Sequence, residues 1–250
     1  MTIEIRITSE ITVRLIQSCG GDHMIVAAAK VSTNGEEALQ YAKEDKAEEN
    51  RGLIRYLMKM RHGTPFEHSF LSFFVHAPIF VWREWHRHRI GFSYNEESAR
   101  YKQLDPVFYI PPRDRPMVKV GDWKPGRPKF KTLDEVYGNN ADAAYYEIVR
   151  EMRHGYEEEY PRYVRQLGRD LDPGLARDNL PVGIYSSCWV SCNPRSLMAF
   201  LSLRTHDQEA RHVSYPLYEI EVAARKVEEA LAKGWPITHA SFVEFGRAAP

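Results

Sequence analysis

The 250-residue chain has three cysteines, an odd number too small for a disulfide framework and in keeping with a reducing compartment. It has no excess of either charge: 34 Lys and Arg stand against 34 Asp and Glu. It therefore lacks the basic surplus with which proteins neutralise nucleic-acid phosphates. With 43% apolar residues it also lacks the signature of disorder. Long apolar runs are missing. The longest apolar-leaning stretch, Phe70 to Trp82, holds Ser72, His76 and Pro78 and is too short to cross a bilayer. Met1 to Arg6 carries charges where a signal peptide needs an apolar segment. GxGxxG, P-loop, HExxH, CxxC and EF-hand patterns are absent, so no Rossmann, Walker or metal site is indicated. What remains is a soluble cytoplasmic protein, expected to form a single domain over residues 1–250.

The periodicities predict a mixed chain. Ile3, Ile5, Ile7 and then Ile11, Val13, Leu15 alternate around Thr8-Ser9-Glu10, which predicts a β-hairpin. A short helix is expected over 23–32, ended by Asn34-Gly35. A helical pattern follows over 36–61, divided by the charged residues 43–51. Gly63-Thr64-Pro65 is a turn, 69–77 a strand with Leu71, Phe73 and Val75 on one face, and 79–90 a helix. Residues 111–131 hold five Pro and two Gly and read as a surface excursion or lid. A long Tyr- and Glu-rich helix over 133–167 is expected to break near Pro161. Asp172-Pro173 and Asn193-Pro194 are helix starts, the second running through Leu203. A strand covers 182–190, and 209–233 is mostly helical with a boundary at Pro216. The fold class is α/β (α+β), a mixed or antiparallel sheet flanked by long helices.

Against the absences stand 14 Tyr, five Trp and ten His. The densest patch is Trp82-Arg83-Glu84-Trp85-His86-Arg87-His88-Arg89, continuing through Ser93 to Tyr101. A charge run is usually a solvated helix face, but such a face has little use for Trp and His. The alternative is an anion site of arginines and turn amides. On a regular helix Arg87, His88 and Arg89 point about 100° apart, with Arg83 and Arg87 on one face and Glu84 and His88 on another. Three functional residues there would serve different ligands or a neighbouring subunit. A second patch runs from Arg61 to His68, and a third from Asn193-Pro194-Arg195-Ser196 to Arg204. Each also reads as an ordinary helix end. His86 with His88, and His206, Asp207, Glu209 and His212, are candidate metal clusters, and neither spacing is diagnostic. Cys188 and Cys192 share a strand face as packing residues, and Cys19 has no nearby cation.

Taken in order, these patches resemble the flavin-dependent thymidylate synthase family. Its hallmark is an Arg-His-Arg triplet followed, after seven residues, by Ser. Here eight residues separate Arg87-His88-Arg89 from Ser98, an insertion around Gly91-Phe92. Val31-Ser32, His62 to His68, and Asn193 through Arg204 also match in order, so the resemblance spans about 28 to 225 without the excursion. It implies a homotetramer that converts dUMP to dTMP, with 5,10-methylenetetrahydrofolate as carbon donor and NADPH as reductant through FAD, and without a cysteine nucleophile. It assigns Ser32, Thr64, Arg87, His88, Arg89, Ile90, Glu96, Asn193 and Arg195 to FAD. It assigns Glu84, Arg87, Glu96, Glu97, Ser98, Ala99, Arg100, Arg177 and Arg204 to dUMP, and His62 to the neighbourhood of the flavin ring. Arg204 and His62 are the implied catalytic residues. Ala199 and Gly174 depart from the family pattern. Arg204 is no base, its pKa being above ~12; it suits stabilising negative charge on the uracil ring. The competing classes are a nucleic-acid module using the Arg/His/Trp patch, disfavoured by the neutral charge, and a His-based metalloenzyme.

Overall fold

The computed structural model describes residues 3–43, 46–121 and 129–250. In chain order its elements are β1 (Arg6–Thr8), β2 (Thr12–Cys19), α1 (Asp22–Asn34), α2 (Leu39–Lys43), α3 (Arg51–Lys59), β3 (Phe70–Pro78), α4 (Ile79–Trp85) and β4 (Phe92–Glu96). There follow β5 (Val107–Tyr109), β6 (Val118–Lys119), β7 (Phe130–Lys131), α5 (Leu133–Tyr137), α6 (Ala141–Leu167) and α7 (Pro173–Ala176). The chain ends with β8 (Tyr185–Cys192), α8 (Pro194–Arg204), α9 (Tyr218–Gly234) and α10 (Pro236–Glu244). Among the described residues no helix is long and apolar enough to cross a membrane. The chain forms two compact units, one of Met1–Thr12, His76–Glu84 and Glu96–Ser187, the other of Val13–Val75, Trp85–Asn95 and Cys188–Pro250.

The first unit is organised by tyrosines. Tyr156, Tyr160 and Tyr163 fall at i, i+4 and i+7 on α6, so they share one face, and all three are buried with Phe108, Leu104 and Ile184. Burying a phenol is unfavourable unless its OH finds a partner. Tyr156 donates to the Tyr109 carbonyl (2.8 Å) and Tyr160 to the Leu104 carbonyl (2.6 Å), while Tyr163 accepts from the Leu104 N–H (3.4 Å). The face thus fastens β5 and the loop before it. Pro161 lies inside α6 without breaking it. An interior Pro costs about 3 kcal/mol, which this packed face on both sides of it outweighs. The break in the 133–167 region comes instead at Gly138, where φ is 50°. Of the excursion, β6 pairs antiparallel with β7, and Arg113 ties its start to Asp134 and Asp142. Residues 122–128 of the excursion lie outside the described residues.

The expected N-terminal hairpin does not form. β1 pairs in parallel with β5, Arg6 against Val107 and Thr8 against Tyr109, whereas β2 is the edge of a four-stranded sheet ordered β2-β3-β8-β4. Alternation had marked the strands correctly; it carries no information on which strand pairs with which.

Most of that sheet belongs to the second unit. Leu71, Phe73 and Val75 of β3 are buried, as are Cys188, Val190 and Cys192 of β8, together with Leu197, Met198, Phe200 and Leu201 of α8. Asp22 at the start of α1 is buried and caps α10: its carboxylate accepts from the N–H groups of Ile237 (2.7 Å) and Thr238 (3.0 Å) and from the Thr238 hydroxyl (2.6 Å). A carboxylate there complements the helix dipole. α9 begins only after Pro216, and α10 was not expected. The expected helix 79–90 stops at Trp85. Tyr94 supplies the reason: its hydroxyl donates to the carbonyls of His88 (2.6 Å) and Trp85 (3.2 Å), satisfying backbone groups that a longer helix would have used.

A Cβ added at Gly183 would sit 2.6 Å from the Tyr156 hydroxyl. Gly183→Ala must therefore displace a phenol whose bond to Tyr109 is buried. We expect a loss of about 1–3 kcal/mol in equilibrium urea unfolding. An unchanged midpoint would show that the tyrosine face is looser than these distances imply.

Candidate active site

Two groups of side chains could carry chemistry, one in each unit. The first unit holds a cavity of about 470 Å³, within the range of small-molecule sites. Glu96, the last residue of β4, and Glu97, Ser98 and Ala99 just past it form one wall; Arg83 of α4, with Arg177 and Asp178 after α7, adds charge; Leu104, Leu180 and Ser186 add further surface. The wall is held to β8: Glu97 donates its N–H to the Ser187 carbonyl (2.7 Å) and accepts from the Ser187 N–H on its carboxylate (3.2 Å). Lys102 pairs with the other carboxylate oxygen (2.6 Å). Trp82, buried, donates to the Ala77 and Ser186 carbonyls (3.2 Å each), so α4 is fixed against the same strand. Neither Arg83 nor Arg177 makes an ion pair with another described residue. Both cations are exposed, as an anion-binding pair must be before it is occupied.

The second unit gathers the other patches. Past the end of α4 the triplet lies in a turn, with Arg87 and Arg89 exposed and His88 half-buried. The helical geometry expected for it is thereby corrected: the three residues diverge because the turn alternates in and out, not because a helix rotates them. Nε of Arg204, at the end of α8, donates to Nε2 of His88 (3.0 Å). His88 stands edge-on to Phe200 (4.9 Å), and Phe200 stacks on Trp85 (4.9 Å). Burial first, and the Arg204 charge second, lower the His88 pKa from 6.5 to about 4. The ring is therefore neutral near pH 7, and its Nε2 is a lone-pair acceptor.

Nearby in sequence and space, α8 begins on Asn193, whose side chain accepts from the Ser196 N–H (2.8 Å). Arg195 pairs with Glu67 and donates to the Pro250 carbonyl (2.8 Å). The backbone approaches closely here. At Gly91, φ is +69° and a Cβ would lie 2.1 Å from the Ser196 Oγ; at Gly63 it would lie 2.3 Å from the Arg195 guanidinium. A cavity of about 570 Å³ runs past Glu67, Ser69, Gly91, Ser93, Ser191 and Asn193. The Ser69 hydroxyl in it is buried and has no partner.

The structure brings together Glu96, Glu97, Ser98, Ala99 and Arg177 in one cavity, and His88 with Arg204 in the other unit. Asn193 lines the second cavity, where Arg195 adjoins Glu67. Thr64 and His62 are exposed on the turn before β3, His62 tilted against Tyr56 (5.8 Å). Ile90 is 92% exposed. The Ser32 hydroxyl turns back to the Ala29 carbonyl of its own helix (2.8 Å). Arg100 is exposed over Tyr101, and Glu84 is half-buried. Sequence reasoning did not assign Arg83, Asp178, Ser186 or Glu67. Arg83 and Glu67 lie inside patches already singled out; nothing local marks Ser186 or Asp178. Among the described residues no three His, Cys, Asp or Glu side chains are grouped to hold a metal ion.

The family described as Thymidylate synthase complementing protein matches residues 14–237, taking in both cavities. The chain is 44% identical over 247 residues to the flavin-dependent thymidylate synthase of Streptomyces coelicolor, covering 99% of this chain and 96% of that one. It is 42% identical to a UMP/dUMP methylase, PolB from Streptomyces cacaoi, solved with 5-Br dUMP; the TM-score is 0.87, with 98% of this chain and 100% of that chain covered. The same protein solved with 5-Br UMP superimposes with a TM-score of 0.83 and 42% identity, covering 99% of this chain and 100% of that one.

The neutral His88 predicts a pH signature. Between its ordinary pKa of 6.5 and about 4, the unfolded chain binds a proton that the folded chain refuses, so stability falls as pH drops through that window. In urea melts at pH values stepped across it, the wild type should lose more stability than His88→Gln, which cannot take up this proton. Parallel losses in the two proteins would contradict a neutral, buried His88.

Proposed function

The chain belongs to the flavin-dependent thymidylate synthase family, and from that premise we propose that it reductively methylates dUMP to dTMP, taking the carbon from 5,10-methylenetetrahydrofolate and reducing equivalents from NADPH through bound FAD. The observation that carries the reading is the single cavity that gathers Glu96, Glu97, Ser98, Ala99 and Arg177, five of the nine residues the resemblance assigns to the nucleotide. A nucleoside monophosphate needs cations for its phosphate, apolar walls for its ring and polar groups for its edges. Arg177 and Arg83, Leu104 and Leu180, and Ser98 with the two glutamates supply these.

The residues of the second unit suit a flavin dinucleotide. The start of α8, Asn193, Arg195 and the turn at Gly91 form a cradle that any side chain at Gly91 would fill, and helix N-termini favour phosphates. The orphaned Ser69 hydroxyl adds a group awaiting a partner. Thr64, Arg87, His88, Arg89, Ile90 and Glu96 are the further proposed FAD contacts, and Ser32 a peripheral one. Bound there, the flavin would carry the hydride. The chain's own contribution is position and charge. His88, held neutral, accepts from Arg204 and sets the direction of its guanidinium. Arg204 then stabilises negative charge on the uracil ring, raising the nucleophilicity of its C5. Glu84, Arg87 and Arg100 complete the proposed nucleotide contacts, and His62 stands at the flavin ring.

Assembly as a homotetramer with shared sites accounts for two exposures. The edge strand β2 leaves Leu15 at 44% and Ile16 at 48% exposed, and Ile90 projects between exposed neighbours. A second substrate reading is the ribonucleotide, since the Streptomyces cacaoi relative is described as a UMP/dUMP methylase. Assays with both nucleotides decide it.

The cysteines are read as inert. Burial pushes the Cys192 thiol well above its ordinary range, which overrides any lowering by the adjacent start of α8. Cys188 is buried and Cys19 is exposed. A Cys19→Ser, Cys188→Ala, Cys192→Ala protein should retain NADPH-dependent dTMP formation with some loss of stability. A folded, flavin-loaded triple variant without turnover would restore a covalent mechanism. Arg204→Ala should keep its flavin absorbance while dTMP formation falls by two to three decades, about 2–4 kcal/mol. A colourless variant would place Arg204 in the flavin site, and wild-type turnover would remove it from the chemistry.

A further inference from the structure

Ser186 is 1% exposed, lines the first-unit cavity, and has a hydroxyl with no hydrogen-bond partner. A buried hydroxyl without a partner is unfavourable, and native proteins keep few of them. Its surroundings leave it little freedom. The Ser186 carbonyl accepts from Trp82 (3.2 Å), and the next residue is bound to Glu97 through both its N–H and its carbonyl. The backbone of Ser186 is thus pinned on both sides, beside the Glu96 to Ala99 wall. These bonds oppose a shift of the strand that would bring the hydroxyl to another acceptor.

The cavity is graded in exposure. Arg83 and Arg177 are exposed, whereas Ala99, Leu104 and Ser186 are buried. A phosphate is best held at the exposed cations, where it keeps part of its hydration. The less polar ring of a nucleotide is best placed against the buried surfaces. We propose that Ser186 is a substrate-contacting residue whose hydroxyl hydrogen-bonds the polar edge of the pyrimidine in this cavity. This rests on the reading of the cavity as the nucleotide site. A hydroxyl both donates and accepts, so it can meet either a ring carbonyl or a ring N–H. Pinned in advance, it loses little freedom on binding, which favours affinity.

The assignment predicts two effects of opposite sense for Ser186→Ala. Without nucleotide the variant should melt at the wild-type temperature or slightly above, because an unpaired buried hydroxyl has been removed. A hydroxyl with a structural role would lower it. In calorimetric titration of the flavin-loaded protein, the Kd for dUMP should rise about tenfold, the loss of one buried hydrogen bond. The Kd for 2-deoxyribose 5-phosphate, which lacks the base, should match the wild type. An unchanged dUMP affinity overturns the inference. An equal loss for both ligands also overturns it, by moving the contact to the sugar or phosphate. If wild-type protein binds no dUMP, the nucleotide reading itself fails, and that outcome is distinct from either.

Discussion

The candidate site of the second unit is organised by one hydrogen bond running in an uncommon direction. Arg204 must donate to His88, so the imidazole has to stay uncharged beside a guanidinium. Burial against Phe200 secures this and the arginine's own charge reinforces it. Two cations at that distance would repel, and Arg204 would then lose its orientation. Around this contact the turn is locked by Tyr94, whose phenol donates to the carbonyls of Trp85, at the end of α4, and His88, within the triplet, and whose ring stacks on Phe92 (5.7 Å). The aromatic content of the patch is therefore the low-dielectric lining that keeps a histidine neutral.

The first unit solves a different problem, how to build a polar cavity on a short sheet. Three phenols on α6 hold β5 and its approach in place, while Glu97 and Trp82 bind the cavity wall and α4 to β8. These supporting groups find their partners within the protein, whereas Arg83 and Arg177 make no ion pair with a described residue and the Ser186 hydroxyl has no hydrogen-bond partner. Pairing the supporting groups and leaving cavity-lining ones open is what pre-organisation of a binding site requires.

Particular residues show what was legible beforehand. Leu71, Phe73 and Val75 announced a half-buried strand because one face of a sheet must be apolar, and Asn193-Pro194 announced a helix start because cap and Pro chemistry are local. The Glu96 to Ala99 segment was legible through resemblance, and the cavity places those four residues on one wall. What local patterns could not carry was tertiary. The partner of β1 is just over a hundred residues away, at Val107 to Tyr109. The end of α4 depends on Tyr94, and the continuity of α6 through Pro161 depends on the tyrosines that pack beside it. Ser186 is one serine among several in β8; only the cavity and its missing partner distinguish it.

The capping of α10 by Asp22 bears on how the chain assembles as it is made. The carboxylate that satisfies the last helix belongs to the first one, more than two hundred residues earlier. The second unit also needs three separate segments, the last beginning at Cys188, whereas the first unit is entirely synthesised by Ser187. On the ribosome the first unit can therefore close while the other still waits for its last segment, Cys188–Pro250. Throughout that interval the buried face of α1 has no α10 to pack against. Exposed apolar surface of that kind is where a growing chain is open to aggregation and to chaperone binding.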